Sequence, residues 1–288
     1  MMRSDDQRTK APLPLLREAG VLFEELDTTQ AQKRFPQINF EGIKWAIYER
    51  ESGFLTARRS CQIVLDRFLA EGGEYREATA KPGSIQGRKM QDLALSRGTR
   101  VSADQYVFAC GPWLGQLFPD VVGKLIQPTR QEVFFFGTPA GDPRYSEREM
   151  PSWIDLGEQV YYGIPGNDWR GFKAANDARG PACDPTKQER TPTPETLQSV
   201  RKYVDFRFPG LRGAPVVETR VCQYENTPDG NFVFDRHPGA DNVWIAGGGS
   251  GHGFKHGPAI GELMADLVLG KNQVDQFHGL ARFTGVPR

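Results

Sequence analysis

Between residues 57 and 69 the apolar positions recur with a helical period. Cys61, Val64, Leu65, Phe68 and Leu69 stand at i, i+3, i+4, i+7 and i+8; Thr56 can cap the start, and Gly72-Gly73 end the pattern. The stripe predicts an amphipathic helix with Cys61 on its core face. Upstream, residues 11–35 read as two short helical pieces around a strand-like Val21-Leu22-Phe23, with Thr28 or Thr29 as a cap and Pro36 as the stop. Strands are expected over 43–48 and 74–78, which gives the strand-helix-strand order of a layered α/β unit. A polar hairpin at 96–99 precedes the apolar run 106–110. Gly111-Pro112-Trp113 close that run, so it reads as a buried strand ending in a tight turn, with Cys110 as packing.

The middle of the chain changes period. Residues 125–137, 152–156, 159–164 and 171–175 are short β-type runs punctuated by Gly and Pro, which predicts an antiparallel sheet. Residues 184–194 are polar and loop-like. Thr193-Pro194-Glu195 then combine a cap, a proline at the first helical position and an early acid, so a helix should run to Phe208 before Pro209. Near the C-terminus, 243–246 read as a buried strand, 247–253 as a glycine-rich turn, and 258–269 as a helix with Ile260, Leu263, Met264, Leu267 and Val268 inward. The expected fold class is α/β plus antiparallel β in two interleaved domains. Residues 1–51 and 121–224 would form one, and 52–120 and 225–288 the other.

Composition narrows the class without naming it. The 288 residues suit about two domains of roughly 150 residues, and 38% apolar content can fill a core. Thirty-six basic residues balance thirty-six acidic ones, so nothing electrostatic favours nucleic acid or an anionic membrane. No apolar run approaches the roughly 18 residues of a membrane span. The opening MMRSDDQRTK lacks the apolar stretch of a secretory signal, so a cytoplasmic protein is expected. Cys61, Cys110, Cys183 and Cys222 are far apart without C-x-x-C or Cys/His pairing, and no metal site is expected.

The densest chemistry lies in 221–255. Strand, glycine turn and helix together can cradle an anion, because glycines admit close backbone approach and a helix start offers unpaired N–H groups. The turn does not match G-x-G-x-x-G, and on mechanics alone it is either a ligand seat or a structural bend.

The wording of this segment is more specific. Cys222-Gln-Tyr-Glu-Asn-Thr-Pro-Asp229, Asp235-Arg-His237-Pro238 and Ser250-Gly-His-Gly-Phe-Lys255 resemble the end of the monomeric sarcosine oxidase and N-methyltryptophan oxidase branch of the D-amino-acid-oxidase-like flavoproteins. Glu51-Ser-Gly-Phe-Leu55, Ala109-Cys-Gly-Pro-Trp113, Gln127-Pro-Thr-Arg-Gln131 and Tyr161-Tyr-Gly-Ile-Pro165 with Lys173 fall in family order, so the resemblance covers about Val21 to Gly270. One departure is large. The family begins with a βαβ unit carrying G-x-G-x-x-G, and residues 1–20 contain nothing of the kind.

The resemblance implies FAD as cofactor, in an incomplete Rossmann-like FAD-binding layer (52–120 and 225–288) beside a substrate-binding domain (1–51 and 121–224). It implies that Gly249, Ser250, Gly251, His252, Gly253, Phe254 and Lys255 lie along the flavin ring, with Gly111 and Trp113 also on the cofactor side. Lys255 matches the lysine that holds the substrate carboxylate, the plain alternative being a lysine exposed after a turn. Lys173 matches the lysine that helps oxygen accept electrons, and Tyr162 a substrate-pocket tyrosine; the plain alternatives are a solvated strand lysine and a core aromatic. Asp177 stands where the family has a pocket histidine, which favours a cationic amine over an anion. Cys222 matches the cysteine that carries flavin as a thioether in covalent members, and otherwise packs as a small hydrophobe. His237 is expected in a turn, and Cys183 is an incidental loop thiol.

The implied activity is FAD-dependent oxidation of a C–N bond in a small amine or N-methyl amino acid, with oxygen as acceptor. Two alternatives stand beside it: a dehydrogenase of the same fold with another acceptor, and a non-catalytic chain or subunit whose nucleotide-binding unit comes from a partner chain or a missing N-terminal segment. Without that unit the chain alone is expected to hold FAD weakly or not at all.

Overall fold

A computed structural model describes residues 1–167 and 170–283. The chain forms two compact units, one of Met1–Phe54, Gln131–Gly180 and Glu189–Cys222, the other of Leu55–Arg130, Pro181–Gln188 and Gln223–Arg288. Residues 121–130, 181–188 and 223–224 group with the second unit, although the sequence pattern suggests the first, and residues 52–54 group with the first rather than the second. The boundary falls inside the two long strands Gln127–Phe136 and Val216–Asn226.

The first unit is built on a sheet in the order Trp153–Asp155, Tyr161–Ile164, Phe172–Asn176, Gln127–Phe136, Val216–Asn226, antiparallel through its first four strands. The last and longest of these strands is not signalled by the β-type runs of the sequence. Strand alternation splits the apolar run 133–136 between two faces. Phe134 and Phe136 join Phe172, Trp153, Tyr203 and Phe208 in the main core, while Val133 and Phe135 cluster with Ala175, Tyr162 and Cys222. Helix Pro194–Arg207 covers the core face. Its cap is as the sequence suggests: the Thr193 hydroxyl accepts from Thr196 N–H, and Pro194 opens the first turn.

Asp155 and Arg207 are both fully buried at the end of that helix, 2.8 Å apart, and Asp155 also accepts from Arg3 and from the Tyr203 hydroxyl. Burial alone would raise the Asp155 carboxyl; the hydrogen bond from Arg3 and the charge of Arg207 prevail and hold it below the usual carboxylate range. Two local expectations are corrected nearby. The strand expected at 21–23 runs over Phe23–Asp27, paired with Trp45–Glu49. The helix Thr28–Arg34 is capped by Asp27 in a capping box with Gln30, because the strand delivers Asp27 rather than either threonine in the extended conformation a cap needs.

In the second unit a sheet runs Val233–Arg236, Val243–Gly247, Tyr106–Phe108, the last pair parallel. Tyr106 and Phe108 point into a core with Leu114, Phe118, Val243 and Ile245, but Val107 is 49% exposed, so the strand is buried on one face only. Helix Gly257–Val268 packs Met264 and Leu267 on Trp244 and Phe234. Residues 74–78 are irregular rather than a strand; pairing resumes at Ala80–Pro82 with Leu93–Leu95.

The largest correction concerns helix Ala57–Ala70. It forms where the period places it, yet none of its residues is buried: Cys61 is exposed, and Val64 and Phe68 are 67% and 49% exposed. Periodicity identifies the apolar face of a helix, not what lies on it.

Candidate functional site

On the second face of the antiparallel sheet, Tyr162 pairs with Ala175 and Lys173 stands opposite Ile164 and Phe135. The Lys173 ammonium lies 4.9 Å from the centre of the Tyr162 ring. Cys222 packs on the same cluster from the neighbouring long strand. Burial lowers the Lys173 proton affinity and Arg170 acts in the same direction, opposed by Cys222 and Asp177. Arg170 itself is stacked 4.3 Å over Phe135 and ion-paired with Glu218. Asp177 follows the strand, exposed, with its N–H donated to Val160 O at 2.8 Å. The structure therefore brings Tyr162, Lys173 and Cys222 together, with Asp177 within electrostatic reach of the lysine.

The glycine turn belongs to the second unit, as do Gly111 and Trp113. Its inner side rests on the C-terminal end of strand Val216–Asn226 and the residue after it. Gly249 N–H donates to Glu225 Oε1 at 3.2 Å, Ser250 N–H to Glu225 O, and Thr227 N–H to Ser250 Oγ. Three glycines, Gly247, Gly248 and Gly251, are required by contact. A Cβ on Gly251, which has φ +89°, would fall 2.4 Å from the Tyr224 ring, and one on Gly247 would meet Leu114 at 2.3 Å and Glu225 Oε2 at 2.9 Å. The outer side, His252, Phe254, Lys255 and His256, is exposed, and Gly253 is half-buried. Lys255 donates to His252 O at 3.3 Å and His252 Nε2 lies 3.1 Å from Gly230 O.

A short 3-10 turn, Phe254–His256, carries Lys255 to the start of helix Gly257–Val268, whose first turn has no side-chain cap. Gly257 N–H turns back to Phe254 O and Pro258 has no N–H, so the helix dipole and the adjacent ammonium make that helix start electropositive. Gly111 sits at φ +53° and Trp113 Nε1 donates to Thr186 Oγ1 at 2.9 Å. The Cys110 thiol is half-buried and pushed up by burial and then by the charge of Glu225. His237 occupies the expected turn, accepting Gly239 N–H at Nδ1.

Glu225 and Tyr224 are contacts the sequence patterns do not single out. Their partners lie 24 and 27 positions downstream, so only the folded register reveals them. Among the described residues no cluster of three or more His, Cys, Asp or Glu could hold a metal, and no helix is long and apolar enough to cross a membrane. A cavity of about 850 Å³ in the first unit is lined by Arg3, Asp6, Arg8 and Glu158 and includes none of the residues above.

The chain is similar to known proteins in sequence and in fold. Monomeric sarcosine oxidase of Streptomyces avermitilis is 30% identical over 251 residues, which cover 85% of this chain and 65% of that protein. N-methyl-L-tryptophan oxidase of Salmonella enteritidis is 30% identical over 261 residues, 86% of this chain and 65% of that protein. The chain thus spans less than two thirds of the length of these relatives. In fold it is similar to L-proline dehydrogenase from P. horikoshii, with a TM-score of 0.85 at 20% identity over 100% of this chain and 76% of that one, and to glycine oxidase from Bacillus cereus, with a TM-score of 0.74 at 18% identity over 94% and 71%. Residues 3–267 match the family described as FAD dependent oxidoreductase, and the chain belongs to that family.

Proposed function

We propose that this chain is the substrate-side and ring-side part of an FAD-dependent oxidase acting on the C–N bond of a small amine or N-methyl amino acid, with oxygen as acceptor. The observation that carries the reading is the glycine turn joined to an uncapped helix start beside Lys255. A turn without Cβ atoms on its close contacts, followed by the positive end of a helix dipole and the Lys255 ammonium, fits the ring end of a flavin, whose reduced form bears negative charge. Nothing in the sequence matches the glycine fingerprint that would seat the pyrophosphate.

FAD, when bound, supplies the two-electron chemistry. The chain's own residues orient and charge-balance. Lys255 holds the substrate carboxylate as a fixed cation, and Tyr162 walls the substrate. Lys173, a half-buried ammonium pinned over an aromatic ring, stabilises charge developing on oxygen; this favours an oxidase over a dehydrogenase. Asp177, in place of a histidine, inclines the pocket to a cationic amine. Cys222 is the attachment point in a covalent form of the reading, and yellow colour surviving denaturation in the parent but not in Cys222→Ser would establish it.

A nucleotide-binding unit, from the same polypeptide or a partner chain, completes the site. Two features support this: the outer edge of the parallel strand Tyr106–Phe108, and the uncovered apolar face of Ala57–Ala70. The test is visible absorption and oxygen uptake with N-methyl amino acids, for the chain alone and fused to a nucleotide-binding unit. The chain alone should hold FAD weakly, and the fusion should be yellow and consume oxygen. A fusion that loads FAD yet takes electrons from no amine would sink the reading.

A further inference from the structure

Beneath the glycine turn lies a carboxyl with no role in the reading above. Glu225 Oε1 accepts Gly249 N–H at 3.2 Å, while Oε2 is buried and has no hydrogen-bond partner. Oε2 occupies the space that the missing side chain of Gly247 leaves, 2.9 Å from where a Cβ would stand. A carboxylate placed this way has lost water and gained no cation. Burial raises its proton affinity, only the N–H groups of Gly249 and Gly248 act in the other direction, and the Cys110 thiol, at the end of the adjacent strand, registers its charge.

We propose that Glu225 is a positioning residue that ties the protonation of the protein to the charge carried at the glycine turn. Ionised, it draws the Gly248 and Gly249 amides inward and sets a negative charge behind the turn. Protonated, it keeps one carbonyl acceptor for Gly249 and removes that charge. A ligand that is neutral at the turn is compatible with both states. One that becomes anionic there, as a reduced flavin does, favours the acid, and one proton moves from solvent to Glu225 while no bond to the ligand changes. The ligand half of this inference rests on the flavin reading; the turn half does not.

The experiment has two arms on the full chain. In the first, without ligand, the Gly249 amide resonance is followed against pH. It should titrate with a midpoint above the ordinary carboxylate range, survive unchanged in Cys110→Ser, and become flat in Glu225→Gln, which keeps the carbonyl acceptor but holds no titratable proton. A Gly249 amide that is flat in the parent, or that still titrates in Glu225→Gln, overturns the proposal; if that variant does not fold, the parent and Cys110→Ser titrations decide. In the second arm, with the full chain fused to a nucleotide-binding unit, FAD affinity is measured in oxidised and dithionite-reduced forms. Reduced FAD should gain affinity relative to oxidised FAD as pH falls, by up to about tenfold per pH unit for one linked proton, with the dependence lost in Glu225→Gln. FAD that binds at no pH counts against the flavin reading, while the amide titration still decides the role of Glu225. FAD that binds with the same pH dependence in both proteins overturns the coupling.

Discussion

Lys173 lies diagonally across an antiparallel strand pair from Tyr162, its ammonium 4.9 Å from the ring centre. The ring holds the cation by its quadrupole, worth about 0.5–2 kcal/mol, while burial works against the charge. A lysine used only for solubility would keep its ammonium in water. In flavin-loaded protein, Lys173→Met should slow reoxidation by oxygen about 100- to 1,000-fold, the cost of removing one preorganised electrostatic stabiliser, and leave anaerobic reduction by substrate little changed. Because burial lowers the lysine's proton affinity, the cation is present at lower pH and is lost as pH rises through a value below the ordinary lysine range. Stopped-flow oxygen traces against pH should fall there in the parent and stay flat in the variant.

The buried pair beneath the same sheet makes a stability prediction. Arg207 and Asp155 are both inaccessible to solvent, and removing either leaves a charge stranded. Arg207→Met should cost about 3–5 kcal/mol, read as a lower urea midpoint. Since the Asp155 carboxyl is held below its ordinary range, its contribution is present above the unfolded carboxylate value and lost as pH falls through the folded one. Asp155→Asn should therefore flatten the acid limb of the stability profile. An unchanged limb would place the acid sensitivity elsewhere.

Much of this was legible in the residues themselves. Thr193-Pro194-Glu195 announced a helix start because cap, proline and acid act within four residues, and four of the five strands of the large sheet followed from local punctuation, Val216–Asn226 being the exception. Local signals failed where the decision was not local. Residues 74–78 have strand-like composition and no strand to pair with. Cys61 has a core-like period on a helix that buries nothing. Glu225 looks like one more strand residue until the turn is folded onto it. The glycine turn and Lys255 were visible through family wording, whereas their support by Tyr224 and Glu225 depended on register.

That support makes Gly251 a sensitive position. Its φ of +89° disfavours any side chain, and a Cβ would stand 2.4 Å from the Tyr224 ring. Gly251→Ala should cost about 1–3 kcal/mol in strain and weaken flavin binding as the turn shifts. Gly261→Ala, on a helix with open space around it, should be neutral or slightly stabilising by comparison. Thermal melts of the two variants would compare the sites directly; equal losses would mean the turn relaxes freely.

The exposed helix Ala57–Ala70 gives the last prediction. Ile63, Val64, Phe68 and Leu69 are all largely solvent-accessible on one element, and Leu55 and Tyr75 flank it. A patch of this kind marks an interaction surface or an aggregation liability. If a nucleotide-binding unit covers it, charge placed there should act on association and not on folding of the chain. Val64→Glu with Phe68→Glu should leave the urea midpoint of the isolated chain within about 0.5 kcal/mol of the parent, as expected of surface changes, and should reduce its self-association in light scattering. In the fusion carrying a nucleotide-binding unit, the same pair should destabilise the protein and release FAD, because two carboxylates would then be buried in an apolar interface without partners. A fusion that tolerates both glutamates and retains its flavin would show that this face is not where the unit docks.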